Sequence, residues 1–270
     1  MKNAFENINV IQLFGDYMKV TGVPSDNEIP CDIPEFKGKK LGVVNAGSWI
    51  NLWSVYFGQK LLPGVKIINS GNDAVQLNFI RAHHKGEKVP PDINIEMFLQ
   101  QAKNLVELMG VDAILISCST MNRAYQTVKQ ELAKLNVPVI QIDEAMMEKA
   151  VETNGKILVV ATHGPTVKST QALLQETAER MGRSVDFAGA TIEEAFEALG
   201  EGDIARHNQL IADAIREAQK KEKIDIVVLA QLTMTVFDFS YPDPVKEFGV
   251  PVLTSGITGF IKAGEILKQI

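Results

Sequence analysis

The chain has 270 residues, 46% of them hydrophobic, which is enough for one large or two ordinary globular domains with a packed core. Its formal net charge is -6 and its basic residues are scattered, which argues against a nucleic-acid or anionic-membrane partner and for small-molecule chemistry. No apolar run approaches the roughly 18 to 20 residues that span a bilayer, the N-terminal stretch lacks the apolar core of a signal peptide, and the two cysteines, Cys31 and Cys118, fall short of the about four ligands of a structural zinc site; a cytoplasmic protein with free thiols is expected.

Residues 1–37 carry "VPSDNEIPCDIPEF", rich in Pro, Asp and Asn, and read as an extension wrapped on the surface, in which Cys31 is incidental. From there strand-like apolar runs alternate with helical patterns. The strand candidates are 40–46, 65–70, 112–117, 137–142, 156–162, 224–230 and 250–255. Trp49 and Trp53, at helical spacing, suit a core or subunit interface. His83 and His84 fall in "RAHHKGEKVPPD", a polar stretch that reads as a solvated loop. "IEMFLQQAKNLVELMG" and "TVKSTQALLQETAERMG" read as helices closed by Gly110 and Gly182. Such alternation predicts an α/β fold with parallel sheets layered by helices.

The chain also repeats itself. Laying "VDAILISCSTM" (111–121) over "IDIVVLAQLTM" (224–234) pairs Asp112 with Asp225, Thr120 with Thr233 and Met121 with Met234. The same offset pairs "VPVIQ" (137–141) with "VPVLT" (250–254), then Lys149 and Ala150 with Lys262 and Ala263. "KKLGVVNAGS" and "GKILVVATHGPT" match at a slightly larger offset. Any two α/β domains share hydrophobic patterning, but the Thr-Met pair and the Val-Pro-Val register do not follow from it. A duplicated domain is therefore expected, with parallel sheets in both copies and equivalent strand ends facing across one interdomain cleft. The boundaries expected are 38–150 for the first domain, 151–250 for the second, and 251–270 for a strand and helix returning toward the first.

Within "VDAILISCSTMNRAY" the apolar run ends abruptly at Cys118. A buried cysteine is commonly a small hydrophobe, but this one follows a strand among Ser117, Ser119 and Thr120, where ligands of open α/β sheets bind.

These motifs, "SCST", "ATHGPTVKST" and "VPVLTSGITG" on a duplicated layout, resemble the aspartate/glutamate racemase superfamily over roughly residues 39–270. That superfamily also holds hydantoin racemases, maleate isomerases and arylmalonate decarboxylase. The resemblance implies two domains closing on a small-molecule carboxylate, no metal or organic cofactor, and a homodimer. In the racemases of the family two cysteines, one at each equivalent strand end, act on opposite faces of the substrate's α-carbon. Here Cys118 falls at the first position and Gln231 at the second, as in a branch with a single cysteine.

A thiol at the start of a helix has its pKa lowered by backbone N–H groups, and "STMNRAYQTVKQEL" opens helix-like directly after Cys118. Ser119, Thr120 and Thr233 offer hydroxyl and N–H donors to a carboxylate, although helix capping alone would also explain them. Thr162 and Thr166 flank a Gly-Pro turn that the resemblance assigns to carboxylate binding, with Asn45 and Ser48 of "NAGS" as counterparts. Asn45 stands where many racemases carry an acid, so the ammonium of an amino-acid substrate would lose a counter-charge. Gln231 donates and accepts hydrogen bonds but cannot exchange a proton as a thiol does. Three readings stay open: a racemase or isomerase with His163 as second proton carrier, a one-base isomerase or decarboxylase in which Cys118 protonates the carbanion, and a non-catalytic carboxylate-binding protein. A solvent-exposed turn histidine is the plain alternative for His163.

Overall fold

The computed structural model describes residues 8–25 and 27–270; residues 1–7 and 26, part of the expected extension 1–37, lie outside the described residues. Two four-stranded parallel sheets form the framework. In the first, β1 (Lys40–Asn45), β2 (Lys66–Gly71), β3 (Ala113–Ile116) and β4 (Val139–Gln141) lie in the order β2-β1-β3-β4. In the second, β5 (Lys156–Ala161), β6 (Asp186–Thr191), β7 (Ile226–Leu229) and β8 (Val252–Thr254) lie in the order β6-β5-β7-β8. The same order twice, in parallel register throughout, is the duplication written in space.

Each central strand is buried on both faces, which is why its sequence is an unbroken apolar run. Leu41, Val43, Ala113 and Leu115 point to one face of the first sheet; Val44, Ile114 and Ile116 point to the other. The polar interruption in both strands has one cause. Asp112 accepts the Lys40 N–H at 2.7 Å and Asp225 accepts the Lys156 N–H at 2.9 Å, so each carboxylate ties the start of its strand to the neighbour.

β6 is not among the seven strands expected from the sequence. Its "DFAGAT" is short of β-branched and large apolar residues, and it forms only because β5 pairs with it along its length as an edge strand. The surface extension also contains a helix, α1 (Val10–Thr21), which has no buried residue and lies against α2 (Asn51–Leu61). His83 and His84 close α3 (Asp73–His84) instead of standing in a loop. α4 (Asp92–Met109) ends at Gly110, whose φ of 58° is a left-handed cap.

After Cys118 the chain makes a 3-10 turn, Ser119–Ala124, before α5 (Tyr125–Ala133) begins. Cys118 therefore precedes a tight turn, not the α-helix N-terminus expected from sequence. The second half repeats this with a 3-10 turn at Leu232–Val236 followed by a single helical turn, Phe237–Ser240.

The halves are completed by exchange. α6 (Glu144–Glu152) buries Met146, Met147, Ala150 and Val151 in the core of the second sheet, beside α7 (Gly164–Arg180). α12 (Ser255–Leu267) carries Phe260, Ala263 and Leu267 into the core of the first, beside Leu41, Phe57 and Leu115. Ala150 and Ala263, paired in the repeat, are both fully buried. Gly259 lets α12 cross closely, because a Cβ there would lie 2.6 Å from the Ile142 carbonyl oxygen. Among the described residues no helix is long and apolar enough to cross a membrane.

Candidate active site

The C-terminal ends of β3 and β7 open on one cleft of about 710 Å³ including its mouth. Cys118, Ser119 and Thr120 line it from the first half, and His163, Gln231 and Thr233 from the second. Six of the ten candidate residues are thus brought together across the two sheets.

Cys118 is buried, and its Sγ lies 3.1 Å from Thr120 Oγ1. Burial pushes the thiol pKa up, against the pull of the Thr120 hydroxyl and the N–H groups of Met121, Ala46 and Thr120. The group is therefore a neutral thiol at neutral pH, ringed by donors that would receive negative charge on sulfur. His163 shifts the other way. Burial lowers its pKa, the charge of His83 adds to the effect, and the His83 ring stands 6.0 Å from its own, centroid to centroid. His163 lines the cleft, and its Nε2 is buried without a partner among the described residues, which leaves that ring nitrogen free.

Gln231 is oriented by its neighbour. Its Oε1 accepts from the Thr162 N–H at 2.7 Å and from Thr162 Oγ1 at 2.9 Å. A backbone N–H can only donate, so the amide oxygen must face Thr162 and the amide nitrogen, with two donors, must face away from it. Thr233 Oγ1 is buried and has no partner among the described residues. Two neutral donors of the second half are thus available to a bound anion.

Four candidates lie outside the lining. Asn45 is fully buried behind it: its Oδ1 accepts from the Ser117 hydroxyl and its Nδ2 donates to Asn51 Oδ1 at 2.9 Å. Ser48 turns outward, its N–H and hydroxyl both donating to the Asp73 carboxylate at 2.7 Å. Thr162 supports Gln231 from below. Thr166, in the first turn of α7, is fully buried, and its hydroxyl has no partner among the described residues.

Sequence reasoning missed the apolar wall. Trp49, Phe79, Ile80 and Phe196 line the cleft, and Trp49, expected in a core or interface, donates from Nε1 to Gln76 Oε1 at 2.8 Å at its edge. It also missed Asp143, a buried carboxyl that accepts from the Ser119 hydroxyl at 2.9 Å and whose pKa burial drives up to about 7, partly offset by the Ser119 and Ser255 hydroxyls. Among the described residues no Asp, Glu, Lys or Arg lines the cleft, and no group of three or more His, Cys, Asp or Glu side chains is placed to hold a metal ion.

The model of the family described as Asp/Glu/Hydantoin racemase matches residues 78–259, more than half of the sequence. The chain belongs to this family. Its fold is that of solved family structures, although each shares few of its residues. A glutamate racemase from Bacillus anthracis superposes with a TM-score of 0.60 at 20% identity, covering 86% of this chain and 82% of its own. An aspartate racemase homologue from Pyrococcus horikoshii gives 0.60 at 19%, covering 85% and 99%. An allantoin racemase from Klebsiella pneumoniae gives 0.56 at 17%, covering 85% and 87%. No curated protein matches the sequence.

Proposed function

We propose that the protein is a racemase or isomerase that needs no cofactor and moves a proton at a carbon next to a carboxylate or carbonyl. The observation that carries this is the pairing of a neutral thiol, Cys118, with a neutral imidazole, His163, on facing halves of one cleft. His163 takes the α-proton through its free Nε2 as the C–H bond breaks. The negative charge that spreads onto the carboxylate or carbonyl oxygen is stabilised by the Thr233 hydroxyl and the Gln231 amino group. The Cys118 S–H then gives its proton to the opposite face of the carbanion. The product is inverted, and the thiolate and imidazolium left behind relax by exchange with water. The reverse reaction starts from that charged pair.

The uncharged, largely apolar wall fits a substrate whose substituent is apolar or aromatic and which carries no ammonium at the reacting carbon, in line with Asn45 in place of an acid. A second reading rests on the same thiol. A neutral Cys118 is already in the state that protonates a carbanion left by loss of carbon dioxide, so a decarboxylase is the alternative. A homodimer in the cytoplasm belongs to the same proposal. Support for the dimer comes from α1, where Ile11, Leu13, Phe14 and Tyr17 are all exposed, a cluster of apolar side chains of the kind that marks an interaction site.

The test is proton NMR in deuterated water with hydantoins, aryl- and alkyl-substituted malonic and 2-hydroxy acids, unsaturated diacids and amino acids. Racemisation with deuterium entering at the α-carbon, lost in Cys118→Ala and in His163→Ala, is the expected outcome. Loss of carbon dioxide without exchange in the starting acid would select the decarboxylase. Activity that survives Cys118→Ala would end both readings.

A further inference from the structure

A second concavity lies on the seam between the halves, separated from the cleft by the turn that carries Cys118. It encloses about 840 Å³ counting its open mouth. The 3-10 turn and α5 form one wall and one face of α7, Glu176, Thr177 and Arg180, forms the other. Ion pairs already cross it: Arg123 to Glu176 at 2.6 Å and Arg180 to Glu144 at 3.1 Å.

Two features remain after those pairs are counted. The lining holds three cations, Arg123, Lys129 and Arg180, against two acids, Glu144 and Glu176, and Glu148 just outside it also pairs with Arg180 at 3.2 Å. Both arginines are thus paired, whereas Lys129 among the described residues has no carboxylate within ion-pair distance and donates to the Tyr125 hydroxyl at 3.1 Å. The floor also holds two amide side chains with orphaned atoms. Asn122 is 7% exposed with Oδ1 unpartnered, and Gln141 is 5% exposed with Nε2 unpartnered, among the described residues. Buried amides normally find partners, and these two line a concavity with an unpaired ammonium at its edge.

We propose that the seam pocket is a second binding site, for a small organic anion that carries a carboxylate or phosphate together with a hydroxyl or amine. The oxyanion takes the Lys129 ammonium and the Gln141 amino group; the ligand's own donor takes Asn122 Oδ1. Asn122 belongs to the same turn as Ser119 and Thr120, so a ligand here grips the segment that positions Cys118 while bridging to α7 of the other half. The inference stands independently of which reaction the cleft performs.

Calorimetric titration at low ionic strength with citrate, glycerol 3-phosphate and inorganic phosphate tests it. One-site, submillimolar binding of citrate or glycerol 3-phosphate is expected, and which of the two binds tells carboxylate from phosphate ester. Lys129 is exposed, so Lys129→Ala and Lys129→Glu should fold, and each should weaken binding about ten- to a hundredfold, the worth of a charge-assisted hydrogen bond. Cys118→Ala and Thr233→Val should titrate like the wild type. The proposal is overturned by silence with both organic anions, by binding that is unchanged in Lys129→Glu, or by binding that is lost in Thr233→Val, which would put the anion in the cleft.

Discussion

Replacing Asp143 with asparagine should change how the stability of the protein depends on pH. The carboxyl is 2% exposed, and burial raises its pKa from about 3.8 to about 7. A folded pKa above the unfolded one means that the native state holds the proton longer. Between about pH 4 and pH 7 the unfolded chain has released a proton that the native state keeps, so stability falls as pH rises through that window and levels off above it. Three units at 1.36 kcal/mol each set the loss at about 4 kcal/mol. The side chain introduced by Asp143→Asn is neutral at every pH and still offers an amide oxygen to the Ser119 hydroxyl, so the loss should disappear. Guanidinium unfolding of both proteins from pH 4 to pH 9 gives the measurement. The variant should be similar to the wild type at pH 4 and more stable by a few kcal/mol at pH 8, the loss just worked out. Some slope should persist in both, because burial also raises Asp238 to about 6, but it cancels in the comparison. Parallel curves, or a variant less stable at pH 8, would refute the reasoning, since the carboxylate would then be ionised and satisfied in the native state.

Two further outcomes are expected. Thr162→Val removes one of the two hydrogen bonds that fix the Gln231 amide; kcat/KM for the substrate identified by deuterium exchange should fall about two- to tenfold, and an unchanged value would mean that the amide orientation does not matter. On the proposed dimer, Ile11→Glu should give monomers in light scattering while leaving the thermal midpoint of the folded body nearly intact, because α1 has no buried residue; a variant that stays dimeric would remove α1 from the proposed interface.

The parts of the fold that could be read in the sequence are those where burial is two-sided. β1, β3, β5 and β7 leave continuous apolar runs because both faces of each are covered, and the repeat could be aligned through Asp112 and Asp225 because both do the same job at a strand start. β6 could not be read, since an edge strand is held by its neighbour's backbone and leaves little trace in side-chain type. For the site, the strand-end rule found Cys118 and the repeat found Gln231, because parallel topology brings both to the same end of their sheets. It could not tell that Asn45 and Thr162 face inward as supports while Trp49 and Phe196 face the cleft. That choice depends on how two loops turn and on which neighbour takes the hydrogen bond. Asp143 showed no signal because an acid before a helix usually caps it at the surface.

The duplication makes the two strand ends equivalent in place, and the sequence then makes them unequal in chemistry. The first half carries the sulfur, with N–H groups of Ala46, Thr120 and Met121 around it. The second carries an amide that Thr162 fixes as a donor, with the free imidazole on the neighbouring loop. In the proposed mechanism a proton carrier therefore faces a donor, and the second carrier is His163 on the neighbouring loop. α6 completes the second core and α12 the first, so each half contributes a helix to the core of the other. A displacement of one sheet drags a helix packed on the other. The exchange of these helices therefore ties together the two halves that carry Cys118 and His163.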